Sequence, residues 1–170
     1  LGVMVAKAAS FEEAMSQVAA ATHESETNLG LLRNAAIEAG AATQFSAKEA
    51  AGAIENLAKA GVSTADILSG GLAGSLDLAA AGQLDVADAA EQIATAMTQF
   101  QLEGEKATHV ADLLAAGAGK AQGEVSDMGN ALKFAGVPAA NLGVSIEETA
   151  GAIALLAKNG IVGEQAGTSL

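Results

Sequence analysis

Residues 46–62 read SAKEAAGAIENLAKAGV, and residues 145–161 say nearly the same thing again, SIEETAGAIALLAKNGI. At a constant offset of 99 the two stretches share the opening Ser, the Glu three residues on, Ala-Gly-Ala-Ile, Leu-Ala-Lys and the closing Gly. A Ser followed at the third position by Glu is a capping box, in which each side chain bonds the other residue's backbone N–H at a helix start. The apolar positions Ala50, Ile54, Leu57 and Ala58 in the first stretch, and Ala150, Ile153, Leu156 and Ala157 in the second, recur at helical spacing. Gly61 and Gly160 fall where a left-handed residue ends a helix. The phrase therefore spells one helix, a stop, and a second helix a few residues on. AGVPAANLG at residues 135–143 is a weaker echo of AGVSTADILSG at residues 60–70. Its different period argues for a repeated helix-turn-helix idiom and against a regular solenoid.

The same grammar runs along the chain. Capping boxes, whole or partial, are readable at Ser10 with Glu13, Ser63 with Asp66, and Asp85 with Asp88. Apolar stripes follow the starts, among them Phe11, Met15, Val18; Ile67, Leu68, Leu72; Ile93, Met97, Phe100; and Val110, Leu113, Leu114. Stops are expected at Gly40, Gly61, Gly82, Gly104, Gly136 and Gly160, and close backbone approach at Gly52 and Gly151. The fold class is all-α, with no strand. It is a compact bundle of about seven or eight short Ala- and Gly-rich helices containing the internal helix-turn-helix repeat. Residues 1–170 are expected to form one domain, a fragment of a longer chain.

Composition narrows the function classes. Hydrophobic residues make up 51% and aromatics 2%, so the core must be assembled from Ala, Leu, Ile, Val and Met. Such thin faces remove little area from water, which favours association of copies, with a trimer as the expected homo-oligomer. One closed bundle and helices laid open against copies remain alternatives. Lys and Arg number 8 against 20 Asp and Glu, and the net charge of −12 opposes any sequence-independent grip on nucleic acid. The absence of cysteine removes disulfides and thiol chemistry. Mean hydropathy is +0.34, yet the longest apolar run, Ile67 to Gly82, is interrupted by Asp77 and is too short for a span.

Candidate chemistry is sparse, and no catalytic, cofactor-binding or metal-ligating residue is expected. His23 stands in a polar connector, and His109 has Asp112 one turn away, but two ligands do not make a zinc site. The carboxylates Glu12, Glu13, Glu24, Glu26, Glu147 and Glu148 lie in first turns or connectors, where they favour the helix dipole. Lys59 and Lys158 occupy matching last turns for the converse reason. Gly70 and Gly74 form a GxxxG spacing, read as a tight helix crossing. The chain carries no nucleophile elbow, Walker motif or dinucleotide fingerprint.

The order of four phrases is more specific than any one of them: FEEAM, then ATQFSAKEAAGAIENLAKAGVS, then LDLAAAGQLDVADAAEQI, then ALKFAGVPAANLGVSIEETAGAIALLAKNGIVGEQAGTSL. From about Phe11 to Leu170 the chain resembles the conserved core region of phage tail tape measure proteins, the minor tail proteins of long-tailed phages and prophages. The resemblance implies a structural, non-enzymatic virion protein in the lumen of the tail tube. It would act in tail assembly and length determination and leave the tube at DNA ejection. The partners it implies are tail tube subunits, tail assembly chaperones and tail tip proteins. A second reading is a membrane-active or pore-lining helical module that helps form a conduit through the host envelope. The dense caps describe something folded rather than an extended ruler, which assigns length measurement to flanking chain.

Overall fold

The computed structural model describes residues 2–120 and 123–170. Among them there are ten α-helical segments and no strand: α1 Gly2–Thr22, α2 Glu26–Ala42, α3 Ala47–Lys59, α4 Thr64–Asp66, α5 Leu72–Gly82, α6 Val86–Phe100, α7 Ala107–Lys120, α8 Val125–Asn141, α9 Ile146–Lys158 and α10 Gly163–Ser169. A π-turn, Ile67–Gly71, joins α4 to α5, and a single 3₁₀ turn, Gly104–Lys106, leads into α7. Setting aside α4 and α10, the shortest segments, leaves eight among the described residues, roughly the seven or eight expected.

Both halves of the opening phrase fold as spelled. Ser46 caps α3, its Oγ accepting the Glu49 N–H while Glu49 returns a bond to the Ser46 N–H at 2.7 Å. Ser145 and Glu148 do the same for α9. Gly61 and Gly160 follow at φ +89° and +84°, the left-handed stops that end each helix.

The correspondence extends well beyond the phrase. α2 and α8, α3 and α9, and the starts of α4 and α10 each stand 99 residues apart in numbering, with matching first and last residues for the two complete pairs. Buried positions match as well: Met15 with Leu114, Leu32 with Ala131, Ala36 with Ala135, Ile54 with Ile153. The chain therefore carries a four-helix unit, α1–α4, again as α7–α10, with α5 and α6 between them. At the level of helices the period is regular, unlike the sequence echo at residues 135–143, which lies mostly inside α8 and makes no turn there.

α3 lies at the centre, packed against α1, α2, α5 and α6, whereas α9 packs against α7, α8 and α10. The core is one contiguous cluster whose larger members include Val18, Leu32, Ile54, Leu57, Ile93 and Leu132, supplemented by many buried alanines.

Other cap expectations need correction. Ser10 lies inside α1 and donates its hydroxyl to the Lys7 carbonyl at 2.9 Å, because the Ala- and Val-rich stretch before it continues the helix. Asp85 precedes α6 without a side-chain capping bond. Gly40 and Gly136 are interior to α2 and α8, where the missing Cβ admits close neighbours, the Ala47 backbone and the Gln99 side chain respectively. Gly82 is the last residue of α5, and Gly104 opens the 3₁₀ turn. The left-handed positions after α5 and α6 belong instead to Gln83 and Gln101. Gly52 and Gly151 have open space where a Cβ would stand, so neither serves close packing. Leu68, assigned to an inward stripe, is exposed because the π-turn adds a residue and rotates it outward.

Candidate functional site

The charged candidates are distributed as inter-helix ties. Glu12 on α1 accepts two bonds from the Arg33 guanidinium on α2, at 2.6 and 2.7 Å, and that guanidinium lies 5.5 Å from the centre of the Phe11 ring. The Arg33 hydrogen bonds hold the Glu12 carboxyl below its ordinary range. His109 on α7 meets Glu147 on α9, Nε2 to Oε1 at 2.9 Å, with both side chains about half exposed. The Glu147 carboxyl is lowered, first by its own backbone N–H and then by His109. Asp112, placed by sequence beside His109, is exposed. His23 is exposed at φ +54° in the connector between α1 and α2.

Glu24 accepts a bond from the Asn28 amide at 2.7 Å, which lowers its pKa. Glu148 serves its capping box. Glu13 and Glu26 are exposed on the first two helices. Lys59 pairs with Glu55 one turn back at 2.5 Å; at the corresponding place behind Lys158 the chain has Ala154. Among the described residues no group of three or more His, Cys, Asp or Glu side chains is placed to hold a metal ion, and no helix is long and apolar enough to cross a membrane.

Small residues and amides organise the joint between the two four-helix units. A Cβ on Gly74 of α5 would stand 2.5 Å from the Ala107 carbonyl carbon of α7, and one on Gly70 would meet the Gly104 carbonyl oxygen. The GxxxG spacing is thus a close crossing of two helices inside the fold. The Asp66 carboxylate clamps this corner, accepting the Gly104 N–H at 2.8 Å and the Ser63 hydroxyl at 2.6 Å. Those bonds, the Ser63 one foremost, lower its pKa.

One helix further, Gln92 and Gln99 of α6 lie over Gly129 and Gly136 of α8, so the helices run in the same direction with a seven-residue step on each side. Gln99 donates to the Lys133 carbonyl at 3.0 Å and Lys133 pairs with Glu91 at 2.9 Å. Sequence reading missed this seam, although the matched spacing of two Gln and two Gly was available as a signal.

What the surface offers is grooves between helices. One of about 480 Å³ runs between α3 and α6 beside Asn56, Lys59, Asp88 and Gln99. Another of about 310 Å³ lies between α2 and the α4–α5 corner, apolar along Ala39, Leu68 and Leu72, with Glu38 and Asp77 also among its lining residues. A third, of about 270 Å³, is lined by Lys106, His109, Ser145 and Glu147; there the Ser145 hydroxyl is engaged in its capping box and His109 Nε2 in its bond with Glu147. The arrangement is that of an all-α protein whose charged and small residues serve helix-to-helix packing.

Residues 33–170 match the family model described as phage-related minor tail protein, and the chain belongs to that family. The chain is similar to the tape measure protein of Pneumococcus phage Dp-1, at 44% identity over 160 residues, covering 94% of this chain and 14% of that protein. It is also similar to the probable tape measure protein of Escherichia phage P2, at 34% identity over 140 residues, covering 82% of this chain and 17% of that protein. The chain therefore spans about one sixth or less of the length of these curated relatives. No solved structure matches it.

Proposed function

We propose that this chain is a folded segment of a tape measure protein, a non-enzymatic part of the phage tail that acts in tail assembly and length determination. The observation that carries the reading is the family match over residues 33–170, which takes in all of α3 through α9 and hence most of the core. The two similar proteins, a tape measure protein and a probable one, supply the tail role. Its partners on this reading are other tail components: tube subunits, assembly chaperones and tip proteins.

The segment's own duty is to fold and make assembly contacts, while extended flanking chain sets length. As a continuous helix, 170 residues would reach about 255 Å at 1.5 Å per residue, a length the turns between these helices forgo. The negative charge suits a protein that shares a tube with DNA, since like charges repel rather than adhere. The test is to place Ile54→Asp in the full-length protein within its phage, which buries an unpaired charge in the core. Loss of assembled tails, with the few that form keeping normal length in electron micrographs, is the expected result. Abundant but shortened tails would overturn the assignment.

A further inference from the structure

The two four-helix units differ in what covers them. In the first, α5 and α6 fold back onto α3: Asn56 donates to the Ala87 carbonyl at the start of α6, and Leu57 lies under Gly71 of the π-turn. In the second, chain equivalent to α5 and α6 would begin after Leu170. The positions that α5 and α6 shelter on α3 are correspondingly open on α9. Ala53 and Leu57 are fully buried, whereas their counterparts Ala152 and Leu156 are partly exposed; Asn56 is half-buried, whereas its counterpart Leu155 is 63% exposed. A leucine stands where the covered helix has an asparagine, on a face with no helix over it.

The opposite end carries the same signature independently. Gly129 and Gly136 on α8 are covered by Gln92 and Gln99 of α6, while Gly30, the counterpart of Gly129 on α2, has open space above it, and Ile37, the counterpart of Gly136, is 47% exposed. The first unit thus presents a face to the α5–α6 pair after it, and the second a face to the pair before it. α10 stands where α4 and the π-turn lead into α5, since it starts 99 residues after α4 and buries Ala166 where the first unit buries Ile67.

We propose that the exposed α9 face around Leu155 is the docking surface for the roughly thirty residues that follow Leu170 in the full-length protein, folding back as a helix pair equivalent to α5 and α6. The structural unit is then a six-helix module with a period of 99 residues, of which this chain holds one complete copy and most of a second. The inference rests on the reading of this chain as a segment of a longer tail protein, whose relatives have chains about six to seven times longer than the part matched here. A second copy of the chain is a poorer occupant, because its own α5 and α6 are already seated on its own α3.

The 170 residues contain no cysteine, so single thiols can be introduced cleanly. Leu155→Cys and, separately, Asn56→Cys are placed in the full-length protein with any other cysteine replaced, and maleimide labelling rates are measured there and after truncation immediately following Leu170. In the full-length protein Leu155→Cys should label as slowly as Asn56→Cys, and truncation should speed only the former, by about tenfold or more. Slow labelling at Asn56→Cys in the truncated chain reports that it remains folded. Fast labelling at Leu155→Cys in the full-length protein overturns the proposal, as does protection that grows with protein concentration, which assigns the face to another copy. These readouts do not depend on tail assembly, so they can fail while the tail role stands.

Discussion

α3 and α9 are written in nearly the same words and live in different surroundings. α3 is enclosed by four helices, α1, α2, α5 and α6, and buries five residues from Ala50 to Leu57. α9 is flanked by α7, α8 and α10, buries Ile146, Thr149, Ala150, Ile153 and Ala157, and turns Leu155 outward. The shared letters are therefore those that build a helix and its two ends. Among the letters that differ, Asn56 against Leu155 and Glu55 against Ala154 record what lies alongside. Repetition in this chain marks a building unit, and substitutions between the copies mark neighbours.

The largest effect that separates the pair is truncation of the shared leucine. Leu57→Ala removes a fully buried side chain and should cost about 3 kcal/mol, whereas Leu156→Ala, at the half-covered position, should cost about half as much. Urea unfolding of both variants measures this, and equal costs would break the comparison. Next are the caps, which the two helices share without difference. Ser46→Ala and Ser145→Ala should each lose about 1 kcal/mol, because each leaves the first-turn N–H of Glu49 or Glu148 without its side-chain acceptor.

Smaller, and of opposite sign, are the mid-helix glycines. Gly52→Ala and Gly151→Ala meet nothing within 4 Å and should each stabilise by about 0.5–1 kcal/mol, read as a raised melting temperature. The smallest effect concerns Asp66, whose position in the second unit is held by Gln165. Its folded pKa lies below the ordinary 3.8, so its contribution is present above that value and is lost as pH falls through the lowered one. Asp66→Asn should therefore destabilise by about 0.5 kcal/mol at neutral pH, given its exposure to solvent, and by nothing measurable in strong acid.

Much of the architecture was legible because its signals are local. Ser46, Ser145, Gly61 and Gly160 act on backbone groups within one turn of themselves, and the apolar stripes need only the helical period. Reading failed where a residue's role depends on distant chain. Gly136 looks like a stop until Gln99 is brought over it, and Gly104 looks like one until Asp66 reaches across to its N–H. Ser10 looks like a cap because Glu13 stands three residues on, although α1 has already begun before it. The ties of the candidate site, Glu12 with Arg33 and His109 with Glu147, join residues 21 and 38 positions apart, so spacing could not pair them. The GxxxG of Gly70 and Gly74 was legible as a crossing, though not its partner, Ala107.

The central claim is that the two copies of one phrase have unequal structural weight, α3 as the centre of the fold and α9 as its unfinished edge. Native-state amide hydrogen exchange on the 170-residue chain tests it most directly, comparing the N–H groups of Ala53 to Leu57 with those of Ala152 to Leu156. The account predicts that the α3 amides exchange only by global unfolding while the α9 amides exchange through a smaller opening at lower free energy. Equal protection of the two helices, or greater protection of α9, would contradict it.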